Sequence, residues 1–357
     1  MKSEKTPSAL RQALRQTQDT AQGSGGASKQ ALRCTAPGRA GIVGNPTDMY
    51  GGAVLACSVP LRAWVEIEPA PTLTLETGDQ TATIRGMADL RPRGDRFDLA
   101  RAIFRYLKLP EMRAAIRFGS EIPMQSGLAG STALLVAMVR SILAWLDRRP
   151  HLYQLAETAR FIELNYLEVV CGYQDAYMTT FGGLNYMDFR GKQFYRNLEA
   201  ELFGTVERLG DVAPALPFVL GHTGVQHHSG EVHKPLRERW LEGEPEIVAA
   251  YERITELAAI GKRALLTADW GALADAMNEN HAIQRGLGGS GPENERLIAA
   301  ALAAGAPGAK LAGAGQGGTI IALWPYPDRK PLEDALAAAG ACDILELAVV
   351  PGVQLES

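Results

Sequence analysis

The stretch PMQSGLAGSTA at residues 123–133 runs straight into the apolar LLVAMVRSIL. Small residues and hydroxyls crowd in front of what the apolar run predicts to be a helix over 130–147. Small side chains let backbone N–H groups approach a ligand closely. A helix start supplies unpaired N–H groups and the positive end of the helix dipole. Together these suit an anion, above all a phosphate. An ordinary loop before a core helix fits the same letters, so this stretch alone leaves both readings open.

The rest of the 357-residue chain narrows the choice. Its length predicts about two domains, or one large two-lobed domain. Hydrophobic residues make up 46% and charged residues 21%, the balance of a soluble globular protein. A formal net charge of -4 gives no basic excess, which argues against nucleic acid as the main partner. No apolar run reaches the ~18–20 residues that span a bilayer. The N-terminus lacks the apolar core of a secretory signal, so a cytoplasmic location without membrane attachment is expected. Cys34, Cys57, Cys171 and Cys342 are scattered without a CxxC pair, which indicates neither a zinc site nor a disulfide framework. Cys171 reads either as a nucleophile or as an unreactive buried thiol.

Residues 1–30, with AQGSGGASKQ at 21–30, read as a flexible tail. Short apolar runs broken by Gly, Pro and Asn predict strands within 36–60 and 62–69, a hairpin over 72–86 and a strand over 114–123. Helices are expected over 97–109, 130–147 and 151–168, then over 231–267 with breaks, 269–283, 293–305 and 331–339. Further strands are expected at 182–189, 216–224 and 343–350, and a Gly-rich loop leads into a strand over 310–325. Strands come first and a mixture follows, which predicts an α+β fold and not a regular βαβ winding.

Three stretches stand apart: GRAGIVGNPTDMYGG (38–52), PMQSGLAGSTA (123–133) and KLAGAGQGGTIIAL (310–323). No GxxxxGK[ST] occurs, which excludes a Walker-type P-loop. Gly313, Gly315 and Gly318 fit GxGxxG, but the order here is helix, loop, strand. A dinucleotide fingerprint needs strand, loop, helix.

On these residues the chain resembles the GHMP small-molecule kinases. The first stretch is similar to the galactokinase motif G-R-x-N-L-I-G-E-H-T-D-Y-N-G-G, the second to P-x-x-x-G-L-(G/S)-S-S-A, and the third to L-T-G-A-G-x-G-G. The resemblance covers about residues 36–325. CGYQDAYMTTFGGLNYMDF (171–189) is similar to both the glucuronokinase and the heptose-phosphate kinase branches. GNPTD (44–48) and SGEVHKPLRERWLEGE (229–244) are similar to the glucuronokinase pattern. The resemblance implies two lobes: a ribosomal-S5-like α/β lobe at 31–205, and a ferredoxin-like α+β lobe at 206–357. It implies a sugar 1-kinase that takes ATP, Mg²⁺ and a sugar, as a monomer or homodimer. A manno-heptose or its 7-phosphate, a mevalonate-type alcohol, and binding without catalysis stand as alternatives.

A kinase must hold the triphosphate, bind Mg²⁺, place the acceptor hydroxyl in line and help remove its proton. For ATP the resemblance points to Ser126, Gly127, Leu128, Ala129, Gly130, Ser131 and Thr132, with Gly313 and Gly315. Ser131 or Thr132 acting only as a helix cap is the rival reading. For Mg²⁺ it implies Ser131 with Glu163, which precedes Asp175 by 12 residues; Glu157 and Glu168 compete. Asp175 is implied to accept the acceptor proton or to position the hydroxyl, with Arg39 facing it. Asn45, Asp48, Asp175 and Gly315 are implied for acceptor binding, and the neutral amide of Asn45 stands where galactokinases have Glu, which suits an anionic sugar. His222, His227, His228, His233, Lys234 and Arg237 either face such an anion or form a solvated loop. The helix over 293–305 is expected to support the third stretch. Ala129, Thr132 and Ala312 depart from the family pattern; Thr132 keeps the hydroxyl, whereas Ala312 loses one that can contact phosphate.

Overall fold

The apolar stretch after the tail folds into two long strands, β1 (Leu32–Val43) and β2 (Ala53–Pro69), antiparallel to each other. The GNPTDMYGG segment between them is their connection and holds a single 3₁₀ turn, Thr47–Tyr50. The computed structural model describes residues 29–123, 125–192, 202–225, 229–313 and 315–356. β2 continues the sheet to β5 (Ala114–Ser120), which runs parallel to β3 (Leu73–Thr77); β4 (Gln80–Ile84) completes the hairpin with β3. β6 (Leu184–Asp188) also pairs with β2, and β7 (Thr205–Arg208) pairs with β6. A second sheet has the order β11 (Asp343–Glu346), β8 (Phe218–His222), β10 (Thr319–Leu323), β9 (Gly308–Leu311). Two sheets flanked by helices make the α+β fold expected from the sequence.

The helices are α1 (Asp98–Leu107), α2 (Gly130–Trp145), α3 (Leu152–Asn165), α4 (Gln174–Phe181), α5 (Ser229–Leu241), α6 (Pro245–Leu266), α7 (Trp270–Gly286), α8 (Pro292–Ala303) and α9 (Lys330–Ala338). α2 is apolar on nearly every side because it is buried against β1 and β2, with Leu135, Val136, Met138, Val139 and Ile142 in the core. That burial fixes where its N-terminus sits. A smaller core lies between the second sheet and the α8–α9 pair, with Val219, Leu297, Ile320, Leu332 and Leu336. No helix among the described residues is long and apolar enough to cross a membrane.

Four elements escape the sequence reading. β7, β9 and α4 are short and mixed in polarity, too brief for a period to emerge. The fourth is β12 (Gln354–Glu356), which pairs with β1, so the end of the chain returns to the first sheet. Ser58 holds that return. It is fully buried, donates to the Ala348 carbonyl at 2.6 Å, and accepts from the N–H groups of Val350 and Gly183 at 3.1 Å each. The Gly183 N–H also donates to the Val350 carbonyl at 2.8 Å, so Ser58→Ala leaves the Val350 N–H unmatched, and urea denaturation should show a loss of about 1–3 kcal/mol. An unchanged midpoint would mean that the returning segment holds without this hydroxyl.

Candidate active site

The second marked stretch has an unusual backbone. Gln125, Gly127 and Ala129 have φ of 55°, 74° and 62°, while Ser126 and Leu128 between them have negative φ. Alternation of this kind turns successive N–H groups toward one side and makes an anion-binding concavity. The carbonyls are held from outside. Thr319 Oγ1 donates to the Ser126 carbonyl at 2.9 Å, Arg39 Nη1 to that of Gly127 at 2.5 Å, and the Arg39 N–H to that of Leu128 at 3.0 Å. Among the described residues no protein acceptor takes the N–H groups of residues 127–132. No side chain caps α2, so the rival capping role for Ser131 or Thr132 is not realised. Ser126 is 1% exposed, and its Oγ has no hydrogen-bond partner among the described residues. Leu128 contributes backbone only, since its side chain lies in the core, and Ser131 faces outward on the first turn of α2. Among the described residues the loop is thus an array of donors without protein acceptors.

Arg39 ties this loop to Asp175. Its Nε and Nη2 both donate to Asp175 Oδ1, at 2.8 and 2.5 Å. The guanidinium side is 7% exposed and the carboxylate side 34%, so the pair has a buried half and an open half. Asp175 sits in the first turn of α4, and Asp48 fixes where that helix begins. Asp48 Oδ2 accepts from the N–H groups of Tyr173 and Gln174 at 2.7 and 2.8 Å. A side chain on Gly172 would collide with that same oxygen, so the approach requires glycine. Burial pushes the Asp48 carboxyl above its ordinary range, against the pull of the Gln174 N–H. Asp48 therefore reaches Asp175 through a helix start, a link with no signature in the sequence.

Glu163 lies 7% exposed at the far side of the loop, and Thr132 Oγ1 is 3.1 Å from each of its oxygens. Thr132, and not Ser131, is the residue that contacts it. Burial pushes the Glu163 carboxyl up to about 7, with the charge of Asp175 adding to the effect. A buried carboxylate whose hydrogen bond comes from a neutral hydroxyl, and which faces a second acid more strongly than the more weakly acting charges of Arg160 and Arg39, can take a cation. Among the described residues no cluster of three or more His, Cys, Asp or Glu surrounds it. That sparse set fits Mg²⁺, which binds through one or two protein oxygens and keeps phosphate and water ligands. Of the competitors, Glu157 is buried in an ion pair with Lys192 at 2.5 Å and accepts from Tyr177, and Glu168 is exposed beyond the end of α3. Burial and the charge of Glu163 push the Cys171 thiol well above its ordinary value, which disfavours the thiolate a nucleophile needs.

The first and third stretches meet. Asn45 is 2% exposed; its Nδ2 donates to the Gly313 carbonyl at 3.1 Å, and its Oδ1 accepts from Lys310 Nζ at 2.7 Å. Both ends of this amide are thus engaged within the protein. Asn280 on α7 holds the same turn, accepting from the Gly44 N–H at 2.9 Å. Gly313 lies directly on the phosphate-type loop, since a Cβ there would stand 2.6 Å from the Gly127 carbonyl. A side chain on Gly315 would overlap the Gly289 carbonyl in the α7–α8 connection. Asn294 on α8 clasps Gly317 in both directions, at 3.0 and 2.6 Å, which is the support expected of that helix. His222 is buried with Nδ1 3.0 Å from the Gly318 carbonyl, so it braces the third loop. Arg237 on α5 acts electrostatically on Tyr50, whose ring stacks on Tyr251 at 4.1 Å. His227 and His228, and the side chains of His233 and Lys234, lie outside the described residues, as do Ala314 and the tail of residues 1–28.

Family models match the chain in three places: the GHMP kinases N terminal domain at residues 97–183, the GHMP kinases C terminal domain at 262–342, and a galactokinase galactose-binding signature at 25–69. Glucuronokinase 1 of Arabidopsis thaliana is 28% identical over 327 residues, covering 85% of this chain and 88% of its own. D-glycero-alpha-D-manno-heptose 7-phosphate kinase of Campylobacter jejuni is 25% identical over 309 residues, covering 82% and 89%. Mevalonate kinase of Pyrococcus abyssi is 26% identical over 342 residues, covering 90% and 97%. Among solved structures, the Lin0012 protein from Listeria innocua superposes with a TM-score of 0.76 at 18% identity, covering 92% of this chain and 100% of that one. Lactococcus lactis galactokinase complexed with galactose gives 0.72 at 17% identity, covering 97% and 100%. The structural matches share the fold.

Glu163 makes the metal-free protein pH-sensitive in a defined direction. Its folded value, about 7, lies above the ordinary 4.5, so the fold binds the extra proton between those pH values. The stability this confers is complete below 4.5 and is lost as pH rises through 7. In EDTA, urea stability of the wild type relative to Glu163→Gln should fall across that window by up to about 3 kcal/mol. A constant difference between the two proteins would remove the buried-acid assignment.

Proposed function

The chain is a member of the GHMP kinases, a phosphotransferase with an alcohol group as acceptor, and from that premise we propose that it is an ATP-dependent sugar 1-kinase. In this reading it phosphorylates the anomeric hydroxyl of glucuronate or another anionic sugar in the cytoplasm. The division expected at 31–205 and 206–357 then puts the ATP-binding lobe first, except that β7 and the returning β12 belong to its sheet. The observation that carries the reading is the double engagement of Arg39, which bonds Asp175 and the Gly127 carbonyl at once.

Each step of the transfer has a residue suited to it. The N–H groups of residues 127–132 receive the phosphate oxygens, helped by the hydroxyls of Ser126 and Ser131 and by the dipole of α2. Arg39 holds Asp175 beside that loop through Oδ1 alone, which leaves Oδ2 for the acceptor hydroxyl. As that hydroxyl oxygen attacks the terminal phosphorus of ATP in line, its proton passes to Oδ2 and the bond from that phosphorus to the bridging oxygen breaks, releasing ADP. Asp48 keeps the start of α4, and so this carboxylate, in register. Glu163, with Ser131 or Thr132, would hold Mg²⁺, which supplies neutralisation of the phosphate charge when bound. The similarity to glucuronokinase 1 supports an anionic acceptor, as does the charge of Arg237 acting on Tyr50 within the first motif.

An ATP-consumption screen should include uronic acids, hexoses, heptoses, heptose 7-phosphate and mevalonate, with phosphorus NMR locating the new ester. Glucuronate should give the highest kcat/KM and a 1-phosphate product. A preference for mevalonate, or an ester at another hydroxyl, would overturn the acceptor assignment. Asp175→Asn should lower kcat by about 10²–10⁴-fold with ATP affinity nearly unchanged. Turnover close to wild type would deny Asp175 its role.

A further inference from the structure

Lys310 on β9 is a fully buried lysine that the transfer described above does not use. Its Nζ donates to Asn45 Oδ1 at 2.7 Å and to the Leu311 carbonyl at 2.5 Å, both neutral acceptors. Among the described residues no carboxylate forms an ion pair with it. The charged and titratable groups facing it are Arg39 on β1 and His281 on α7, and His281 in turn faces Glu295 on α8 at 3.0 Å. A neutral amine has two N–H donors, and there are two acceptors here. An ammonium has three donors and a charge, and here it would sit buried near the cation of Arg39.

The position of this amine matters because of what Asn45 touches. The same amide that accepts from Lys310 donates to the Gly313 carbonyl, and Gly313 rests on Gly127 in the phosphate loop. Gly127 in turn accepts from Arg39, which holds Asp175. We propose that Lys310 is a positioning residue for phosphoryl transfer: through Asn45 it seats the first loop against the third, and so aligns Arg39 and Asp175 with the bound phosphates. This deepens the kinase assignment and rests on it. Burial and the charge of Arg39 push the amine down to about 7, so the neutral form that fits the two acceptors becomes dominant as pH rises through neutrality.

The test compares the wild type, Lys310→Met and Asn45→Asp as full-length proteins. kcat and KM are measured from pH 6 to 9 with ATP, Mg²⁺ and the acceptor the wild type uses best, and urea stability is followed from pH 6 to 10. Wild-type kcat should rise through about pH 7. Lys310→Met should lose that limb and lower kcat at pH 8 by about 10-fold or more, with KM for ATP little changed. Asn45→Asp supplies a carboxylate partner, so it should move the limb upward by about one pH unit or more. A limb that follows Mg²⁺ concentration and ignores Asn45→Asp belongs to Glu163 and would overturn the proposal, as would wild-type kcat in Lys310→Met. Should Lys310→Met fail to fold, Asn45→Asp decides alone. Stability gives a readout independent of the acceptor. An amine at about 7 when folded and 10.5 when unfolded makes wild-type stability rise with pH between those values, and Lys310→Met should abolish the rise. If no acceptor is phosphorylated but this rise is seen and lost as stated, the acceptor assignment fails while the buried amine is supported.

Discussion

The guanidinium of Arg39 joins three parts of the site that are distant in sequence. It rises from β1, bonds Asp175 at the start of α4, and grips the Gly127 carbonyl in the loop before α2. A buried charge is tolerated only when its donors are met, and removing one partner leaves the other exposed to a large desolvation cost. The constraint is therefore mutual. The loop keeps its shape because Arg39 holds its carbonyl, and Asp175 keeps its direction because Arg39 is itself fixed in the β1 strand. The open half of the pair is the carboxylate, the group that has to meet a substrate.

Around this anchor the protein leaves several polar groups unmatched where a compact core would match them. Among the described residues the N–H groups of residues 127–132 and the Ser126 hydroxyl have no protein partner, while the Glu163 carboxyl and the Lys310 amine are buried with neutral hydrogen-bond partners and no ion pair. Each costs stability in the empty protein, and they gather within one connected region. Incomplete pairing of this sort is characteristic of sites that await charged ligands. The cost is offset elsewhere by the large core of the first sheet and α2, and by the closure of the chain end through Ser58 and β12.

Contacts between distant segments, more than any one motif, give the site its geometry. Asn45, Asn280 and Asn294 each use both ends of one amide to bind loops together: Asn45 across the first and third stretches, Asn280 to the first turn, Asn294 to the third. Buried amides do this without carrying charge into the interior, which keeps the local field under the control of Arg39, Asp175, Glu163 and Lys310. Asn45 thus serves inside the protein, whereas its place in the first motif suggested contact with an acceptor.

The sequence by itself determined the α+β class, the long helices and most strands, because apolar periodicity records which face of a segment is buried. It also marked the three stretches, two of them glycine-rich turns, because close backbone approach requires small residues, and the family resemblance those stretches carry implied Arg39, Glu163 and Asp175. Only the tertiary structure decided which groups meet. It put Thr132 and not Ser131 against Glu163, turned Asn45 inward to Lys310, made Asp48 the anchor of α4, and brought β12 back to β1. Side-chain direction at those positions depends on the packing of elements that lie tens to hundreds of residues apart. No local spacing records it, and the burial that makes these contacts consequential exists only once the chain has closed.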